Sequence, residues 1–276
     1  MIAAATLSIH HLDRRIIIYA TENDLGVKKK LIAIVIPIYK DSLSPLEFKR
    51  ISITLKNSGP NSVFFIHPSS LNLDYYRKTF QGVLYKSFED SYFKSRDSYN
   101  SLVLEEEFYQ QFREFSYILI CQSDAFIIRD ISPLANLDYD YIGAVWNPPY
   151  IFTRIGKFYF VNRPQWIPGR KVEISVGNGG LSLRKVKSMI DIIKHMKNDH
   201  YWDRLVSITG RKVNEDLAFS YYGHVLGYKF PSIREANAIF IESGNFSLVE
   251  MGHLFGFHAL NKFAPELEKE ILLSYL

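Results

Sequence analysis

At residues 31–37 the chain reads Leu31-Ile32-Ala33-Ile34-Val35-Ile36-Pro37, a continuous apolar run that ends at a proline. A short run without polar alternation, rich in β-branched residues, is typical of a strand that is buried on both faces. Proline suits the end of such a strand because it cannot donate a hydrogen bond to the sheet. The run therefore predicts a central strand of a parallel sheet.

Helix and strand signals alternate on the C-terminal side of this run. Ser44 at a cap position, Pro45 in the first turn and Glu47 in a capping box predict a helix that extends to about Asn57. Further apolar patterns predict strands at 62–67, 82–86 and 117–121 and a helix over 98–115. This order predicts an α/β fold, with a mainly parallel central sheet and helices on both faces.

The second half of the chain is less regular. Residues 150–175 are rich in aromatic side chains, and we expect there an irregular excursion over the functional site. Helical spacing returns at 185–198, 217–224 and 265–276. A chain of 276 residues fits one α/β core. We expect an N-terminal extension (1–30) packed on the core, one main domain (31–262) and a C-terminal helix (263–276).

The composition narrows the classes of protein. Lys and Arg total 33 against 29 Asp and Glu, and the short run Lys28-Lys29-Lys30 is more typical of a solvated loop than of a nucleic-acid site. The single cysteine, Cys121, excludes an internal disulfide and a cysteine-rich metal site. No apolar run approaches the roughly 20 residues of a membrane span, and the N-terminus lacks the layout of a signal peptide. We expect a cytoplasmic protein without a nucleic-acid partner. Its mildly basic surface would also allow peripheral contact with an anionic membrane.

Asp124 follows the predicted strand at 117–121, after Gln122 and Ser123. In parallel α/β sheets ligands bind beyond the carboxyl ends of the strands, and a carboxylate there can hold a divalent ion that bridges two phosphates. A loop aspartate that caps the turn before Phe126 is an equal alternative on position alone.

A glycine-rich stretch spans residues 177–184 and reads Gly-Asn-Gly-Gly-Leu-Ser-Leu-Arg. Gly179 and Gly180 leave the backbone bare, so it can approach a sugar or a diphosphate closely, and Asn178 offers a donor and an acceptor for hydroxyls. A tight bulge without a ligand explains the glycines equally well. Arg184 could pair with a phosphate, or it could be an exposed arginine at the start of a helix.

Two adjacent acids, Glu215 and Asp216, stand at a predicted helix start, with Asn214 as a plausible cap. The helix dipole alone favours carboxylates there. Two acids offer more than a cap requires, since one could bind an acceptor hydroxyl and the other could take its proton. Among eight histidines, His258 is the best candidate ligand, either in a mixed Asp/His site that suits Mn2+ better than Mg2+ or as a core histidine among apolar neighbours.

The order of the motifs resembles a family of uncharacterised, mainly microbial glycosyltransferase-like proteins over about residues 31–260. The matching segments are Val35-Ile36-Pro37-Ile38-Tyr39, Tyr99-Asn100, Phe108-Tyr109-x-x-Phe112, Gln122-Ser123-Asp124-Ala125-Phe126, Asp140-Tyr141-Ile142-Gly143-Ala144, residues 177–184, Asn214-Glu215-Asp216 and Phe255-Gly256-Phe257-His258. The wider similarity is to GT-A glycosyltransferases, which have a single Rossmann-like domain and transfer sugar from a nucleoside diphosphate.

This resemblance implies a role for each matching residue. The Asp-x-Asp motif of the GT-A enzymes corresponds to 122–124, where Gln122 replaces the first acid and Asp124 retains the second. The acidic pair resembles that of β-1,4-galactosyltransferases, which makes Asp216 the catalytic base and Glu215 an acceptor contact. His258 resembles their late histidine metal ligand. Pro37, Ile38 and Tyr39 are implied to border the nucleotide base. The other residues implied to contact the donor are Tyr99, Asn100, Gln122, Asn178, Gly179, Gly180 and Arg184.

The leading hypothesis is therefore an inverting glycosyltransferase of surface polysaccharide or glycoconjugate synthesis. It would use a nucleoside-diphosphate sugar, with a UDP-sugar favoured, a glycan or lipid-linked glycan acceptor, and a divalent metal ion, with Mn2+ favoured over Mg2+. A non-catalytic glycan-binding protein is the main alternative. A sugar-1-phosphate nucleotidyltransferase ranks lower, because residues 39–42 lack the glycine-rich basic loop that would hold a nucleoside triphosphate.

Overall fold

The computed structural model describes residues 30–161, 168–206, 214–243 and 253–275. The predicted N-terminal extension lies outside the described residues except at its last position. The strands are β1 (Lys30–Pro37), β2 (Ser62–Pro68), β3 (Leu84–Phe88), β4 (Phe115–Cys121), β5 (Ala125–Ile127), β6 (Tyr141–Gly143), β7 (Val145–Ile155), β8 (Phe158–Val161), β9 (Arg170–Val176), β10 (Leu181–Lys185), β11 (Leu205–Val206), β12 (Phe240–Ile241) and β13 (Gly256–His258).

The helices follow in the same numbering style. They are α1 (Pro45–Lys56), α2 (Asp74–Thr79), α3 (Arg96–Leu102), α4 (Glu106–Gln110), α5 (Val186–Asn198), α6 (Tyr201–Arg204), α7 (Glu215–Leu226), α8 (Ile233–Asn237), α9 (Leu260–Phe263) and α10 (Pro265–Ser274), with 3₁₀-helices at Asp90–Phe93 and Ser132–Leu137.

The main sheet has six strands in the order β3-β2-β1-β4-β10-β6. The first four run parallel, and β10 is antiparallel to both of its neighbours. β1 is central, with Ile34 opposite Val63 of β2 on one side and Leu119 of β4 on the other. The predicted α/β fold with a mainly parallel sheet is confirmed, and so is the buried strand at 31–37.

Each face of the main sheet carries its own apolar core. Ile32, Ile34 and Ile36 point to the side covered by α1 and α2, whereas Ala33 and Val35 point to the side covered by α4, α5 and α7. Successive side chains of a strand alternate between its faces, so a continuous apolar run is what a strand with two covered faces requires. Because β1, β2, β3 and β4 run parallel, their carboxyl ends lie together at one edge of the sheet. The helices on the two faces leave this edge open.

The helix predicted over 98–115 is wrong. The segment forms two short helices, α3 and α4, and Phe115 already belongs to β4. Glu105, Glu106 and Glu107 stand at the start of α4, and carboxylates at that position favour a new helix N-terminus over the continuation of the preceding helix. The helix from Pro45 is confirmed, and its capping box between Ser44 and Glu47 is present.

The expectation of an irregular excursion at 150–175 is also wrong for residues 150–161 and 168–175, the parts of this range that the structure describes. β7, β8 and β9 pair in antiparallel fashion, and β11 extends the same small sheet. Phe152 and Tyr159 are buried and pack against Tyr221 of α7. The aromatic and β-branched residues of this segment are therefore a strand signal. Trp166 lies outside the described residues.

The C-terminal helix is confirmed as α10, which packs on α1. Arg50 forms a bidentate ion pair with Glu268, with Nε–Oε1 at 2.8 Å and Nη2–Oε2 at 3.1 Å, and both side chains are buried. Its Nη1 also donates to the carbonyl oxygen of Ser123 at 3.4 Å. The pair thus joins the C-terminal helix to the loop after β4. In the described part of the chain no helix has the length and apolar character needed to cross a membrane.

Glu268→Ala should lower the free energy of unfolding by about 3–5 kcal/mol, because it leaves the Arg50 guanidinium buried without its counter-charge. Urea denaturation followed by circular dichroism measures the change. The control is Glu270→Ala, which removes an exposed carboxylate from the same helix and should change this free energy by less than about 0.5 kcal/mol. Equal effects of the two substitutions would contradict a stabilising role for the pair.

Candidate functional site

The crevice between β1 and β4 is the point at which the strand order reverses. From β1 the chain passes through α1 to β2 and β3 on one side, and it returns to place β4 on the other side of β1. In parallel α/β sheets, ligands bind beyond the carboxyl ends of the strands at such a switch point. The segments at this crevice are residues 38–39, after β1, and residues 122–124, after β4.

A small cleft that is open to solvent lies at this crevice. Its lining residues are Pro37, Ile38, Tyr39, Lys40, Leu43, Glu47, Tyr76 and Ser123. The structure therefore brings together the three residues implied to border a nucleotide base, and it adds Ser123 from the loop after β4. Tyr39 is 51% exposed, so its ring is accessible for stacking on a flat ligand. Contact with a nucleotide stays a prediction.

Asp124 is held by the C-terminal part of the chain. Its carbonyl oxygen accepts a hydrogen bond from the Ala259 N–H at 2.9 Å. Its Oδ1 lies 3.3 Å from His258 Nε2, and its Oδ2 accepts a hydrogen bond from Lys262 Nζ at 3.3 Å. Burial opposes ionisation, but His258 and Lys262 outweigh it and lower the pKa of Asp124 well below its ordinary value. A fixed negative charge therefore faces the crevice.

His258, at the end of β13, lies between two carboxylates. Its Nε2 faces Asp124, and its Nδ1 lies 3.0 Å from Glu242 Oε1, off the line of an N–H···O hydrogen bond, so this second contact is mainly between charges. Burial lowers the pKa of an imidazole, but here the two acids prevail and raise the pKa of His258 to about 9. The imidazole is therefore cationic at neutral pH in this arrangement.

Glu242 is a residue of this cluster that sequence reasoning missed. It follows β12 directly, just as the loop with Asp124 follows β4, and its Oε2 accepts a hydrogen bond from Asn178 Nδ2 at 2.7 Å. An acid directly after a short apolar run was the available signal. The run of two strand residues was too short to stand out.

Gly179 and Gly180 lie where no side chain fits. A Cβ atom at Gly180 would overlap the His258 ring, and one at Gly179 would come within 2.6 Å of Glu215 Oε1 and 2.9 Å of Asp216 Cβ. Asn178 Oδ1 accepts a hydrogen bond from the Gly180 N–H at 3.1 Å. Both glycines are thus explained by close packing against the acids and the histidine. The loop therefore lies between His258 on one side and the acidic pair, Glu215 and Asp216, on the other.

Asp216 is half-buried at the start of α7. Its Oδ2 accepts a hydrogen bond from the Gly179 N–H at 3.1 Å, and its Oδ1 accepts one from the Leu217 N–H at 2.7 Å. Burial and the neighbouring Glu215 raise the pKa of Asp216 to about 7, against the opposing effect of these two N–H groups and of Arg184. The carboxyl group can therefore both take up and release a proton near neutral pH.

Arg184 lies in the core, on β10, and is not the exposed helix-start residue that was one of its two readings. Its side chain is 0% exposed. Nη2 donates to Glu215 Oε1 at 2.9 Å, and Nη1 donates to the hydroxyl of Tyr109 at 3.1 Å. The guanidinium is thus enclosed by protein groups, and Glu215 is turned inward to meet it. The phosphate contact of Arg184 and the acceptor contact of Glu215 stay predictions, and the observed contacts give both residues a positioning role.

Tyr99 and Asn100 approach the site from α3. Asn100 Nδ2 donates to Asn214 Oδ1 at 3.2 Å, and Asn214 occupies the N-cap position of α7 without a side-chain capping bond. The hydroxyl of Tyr99 is buried and has no hydrogen-bond partner in the described residues. Burial and the charge of Glu215 raise the pKa of Tyr99. This hydroxyl is therefore a donor that remains to be satisfied beside the acids.

The arrangement offers two ligands for a metal ion. Among the residues that the structure describes, no group of three or more His, Cys, Asp and Glu side chains could hold a metal. Asp124 Oδ1 and His258 Nε2 are 3.3 Å apart. Two ligand atoms with bonds of roughly 2.1 Å at a right angle are roughly 3 Å apart, so this pair has the spacing of two neighbours in one coordination sphere.

Residues 82–258 match the family model described as Protein of unknown function (DUF5672). The match covers well over half of the chain. The chain belongs to the DUF5672 family. The matched range contains Asp124, the glycine-rich loop, the acidic pair and His258, and it begins after β1 and β2. The family description assigns no activity, and none of the curated proteins matches the chain.

In EDTA, the free energy of unfolding should fall as the pH rises from about 6.5 to about 9. Folded His258 keeps its proton up to a pKa of about 9, whereas an unfolded histidine loses its proton near 6.5. The stabilisation is therefore complete below pH 6.5 and lost above pH 9. Urea denaturation at a series of pH values measures it.

Asp124→Asn removes one counter-charge of His258 and should flatten this pH dependence. Asp97→Asn, which removes an exposed carboxylate from α3, is the control and should leave it unchanged. An Asp124→Asn protein with the full pH dependence would contradict the ion pair.

Proposed function

We propose that the chain is a GT-A glycosyltransferase that moves a sugar from a nucleoside-diphosphate sugar, with a UDP-sugar favoured, to a glycan or lipid-linked glycan acceptor with inversion. The observation that carries this proposal is the place of Asp216, a half-buried acid at the start of α7 that the Gly179 N–H holds beside the glycine-rich loop, where burial and Glu215 raise its pKa. A general base works best when its pKa lies near the operating pH, and strongly shifted carboxyl groups in clefts are candidates for this role.

The donor nucleotide would occupy the cleft at the switch point. Tyr39 offers an accessible ring on which the nucleotide base can stack. Lys40 offers a cation at the rim of the cleft, where its Nζ lies 2.8 Å from Glu47 Oε1. The diphosphate would then extend toward Asp124, which belongs to the same crevice. This placement puts the sugar between the loop after β4 and the glycine-rich loop, where Asp216 lies.

The residues present fit a divalent metal ion in their chemistry. Asp124 supplies a carboxylate oxygen and His258 an imidazole nitrogen, a mixed set that suits Mn2+ better than Mg2+. When bound, such an ion would supply positive charge against the departing diphosphate. Two features oppose metal binding: His258 must first give up the proton that it carries at neutral pH, and Lys262 pairs with Asp124 Oδ2. Because its side chain is 60% exposed, it can move away without leaving a buried charge.

The chemistry assigned to the protein residues is a single displacement. The acceptor hydroxyl gives its proton to Asp216, and its oxygen forms a bond to the anomeric carbon while the bond from that carbon to the diphosphate oxygen breaks. The nucleoside diphosphate leaves with the electron pair, and the configuration inverts. Arg184 and Glu215 are positioning residues. Their ion pair fixes the start of α7 and thus the direction of the Asp216 carboxyl group.

Asp216→Asn should lower the transfer rate roughly 10²–10⁴-fold, the typical contribution of a positioned base. Nucleotide affinity should remain, because the base acts on the acceptor. The wild-type kcat/KM should also fall below pH about 7, where Asp216 takes up a proton and no longer accepts one, and the residual activity of Asp216→Asn should lack this limb. Steady-state kinetics across pH measure both effects.

The control for this substitution is Asp74→Asn, another aspartate in the first turn of a helix but exposed. It should leave rate and pH profile unchanged. Retention of more than about a tenth of the wild-type rate by Asp216→Asn would exclude its assignment as the base.

A nucleotide-sugar screen tests the donor class. UDP-, GDP-, CMP- and dTDP-sugars are added to the protein with Mn2+ or with EDTA, and the melting temperature is followed, because a ligand selective for the folded state raises it. We expect one nucleotide to raise it, with a smaller rise in EDTA or in Asp124→Asn. Release of nucleotide from the donor distinguishes the transferase from a glycan-binding protein, which binds sugar without turnover. A failure of all four nucleotides to shift the melting temperature would contradict the proposal.

A further inference from the structure

β7 carries a large bulge next to the glycine-rich loop. Val145 pairs with Val176 of β9, and the next pair is Tyr150 with Ile174, so residues 146–149 stand opposite a single residue of β9. A bulge turns a strand and re-aims its side chains. Here it leaves residues 147 and 148 exposed and places a half-buried aromatic residue at each end, Trp146 and Tyr150. The centres of the two rings are 5.0 Å apart, at an interplanar angle of 81°.

The bulge is attached directly to the loop that holds the acids. The carbonyl oxygen of Ala144 accepts hydrogen bonds from the N–H groups of Gly177 (3.3 Å) and Asn178 (3.2 Å). A Cβ atom at Gly177 would lie 2.8 Å from Trp146 Cη2, so the indole edge rests on the bare backbone of this glycine. The following residues of the same loop bind Glu242 and Asp216. The aromatic pair and the two acids are therefore parts of one surface.

Tyr150 lies near enough to Asp216 and Glu242 for their charges to act on its phenol. Burial raises the pKa of Tyr150, and the charges of Asp216 and Glu242 raise it further. The hydroxyl therefore stays protonated and can donate a hydrogen bond. The surface thus combines two aromatic rings, one donor and two carboxylate groups.

We propose that Trp146 and Tyr150 form a platform for a neutral pyranose ring of the acceptor and direct one of its hydroxyls toward Asp216. This inference rests on the proposed function and names the class of acceptor group that the site takes. A pyranose ring has an apolar C–H face that suits the electron-rich face of an aromatic ring, and its rim of hydroxyls suits the acids and the phenol.

The test uses methyl β-glycosides of glucose, galactose, mannose and N-acetylglucosamine as probes, with binding measured by saturation-transfer NMR on the full chain. We expect at least one glycoside to bind the wild type, and Trp146→Ala to weaken its affinity roughly tenfold. Trp146→Phe, which keeps an aromatic face, should retain most of the affinity and shows that the site remains folded. Phe158→Ala is the control, because it removes an exposed aromatic ring from the same small sheet and should have no effect.

The outcomes separate this inference from the proposed function when nucleotide release from the donor is followed in parallel. Loss of glycoside affinity in Trp146→Ala supports the platform. If the wild type also releases no nucleotide from any donor, the same loss identifies the chain as a glycan-binding protein instead of a transferase. Unchanged glycoside affinity in Trp146→Ala, an equal loss in Phe158→Ala, or no binding of any of the four glycosides to the wild type would overturn the platform, whatever the donor result.

Discussion

The ion pair between Arg184 and Glu215 holds the site together. A guanidinium with no exposed surface is stable in a protein only when its charge and its N–H groups are satisfied. Arg184 meets this condition by bonding to Glu215 and Tyr109, and it also lies over the rings of Tyr141 and Phe219 at 5.3 and 5.4 Å. One buried side chain thereby ties β10, α4 and the start of α7 together. The position of Asp216, the neighbour of Glu215, depends on this contact.

The two carboxylates of the acidic pair have different surroundings. Glu215 is turned toward a buried cation, whereas Asp216 is half-buried and, among the residues that the structure describes, has two backbone N–H groups as its direct partners. Burial and the charge of the adjacent Glu215 raise the pKa of Asp216. Asp124 shows the converse, since His258 and Lys262 keep it ionised. One permanent negative charge and one titratable acid are what the proposed reaction needs.

Local patterns were enough to predict the elements that carry the site. The apolar run at 31–37 and the Ser44–Glu47 capping box are short-range signals, and the structure contains both elements. The errors at 98–115 and 150–175 came from assigning a helix through a run of glutamates and from taking aromatic density as a sign of irregular chain. Which side chains meet could not be predicted in the same way. Arg184 is 31 residues from Glu215, and Asn178 is 64 residues from Glu242, so these contacts depend on how the sheet and its helices pack.

The central claim is that the switch-point crevice binds a nucleoside diphosphate with its phosphates toward Asp124 and leaves Asp216 for the acceptor. A crystal structure of the protein with UDP and Mn2+ tests it most directly. The account predicts that the uracil ring lies in the cleft beside Tyr39 and that the diphosphate lies next to Asp124 and His258. The Asp216 carboxyl group should make no contact with the nucleotide. Nucleotide bound anywhere else on the molecule, or an empty crevice at saturating UDP, would contradict it.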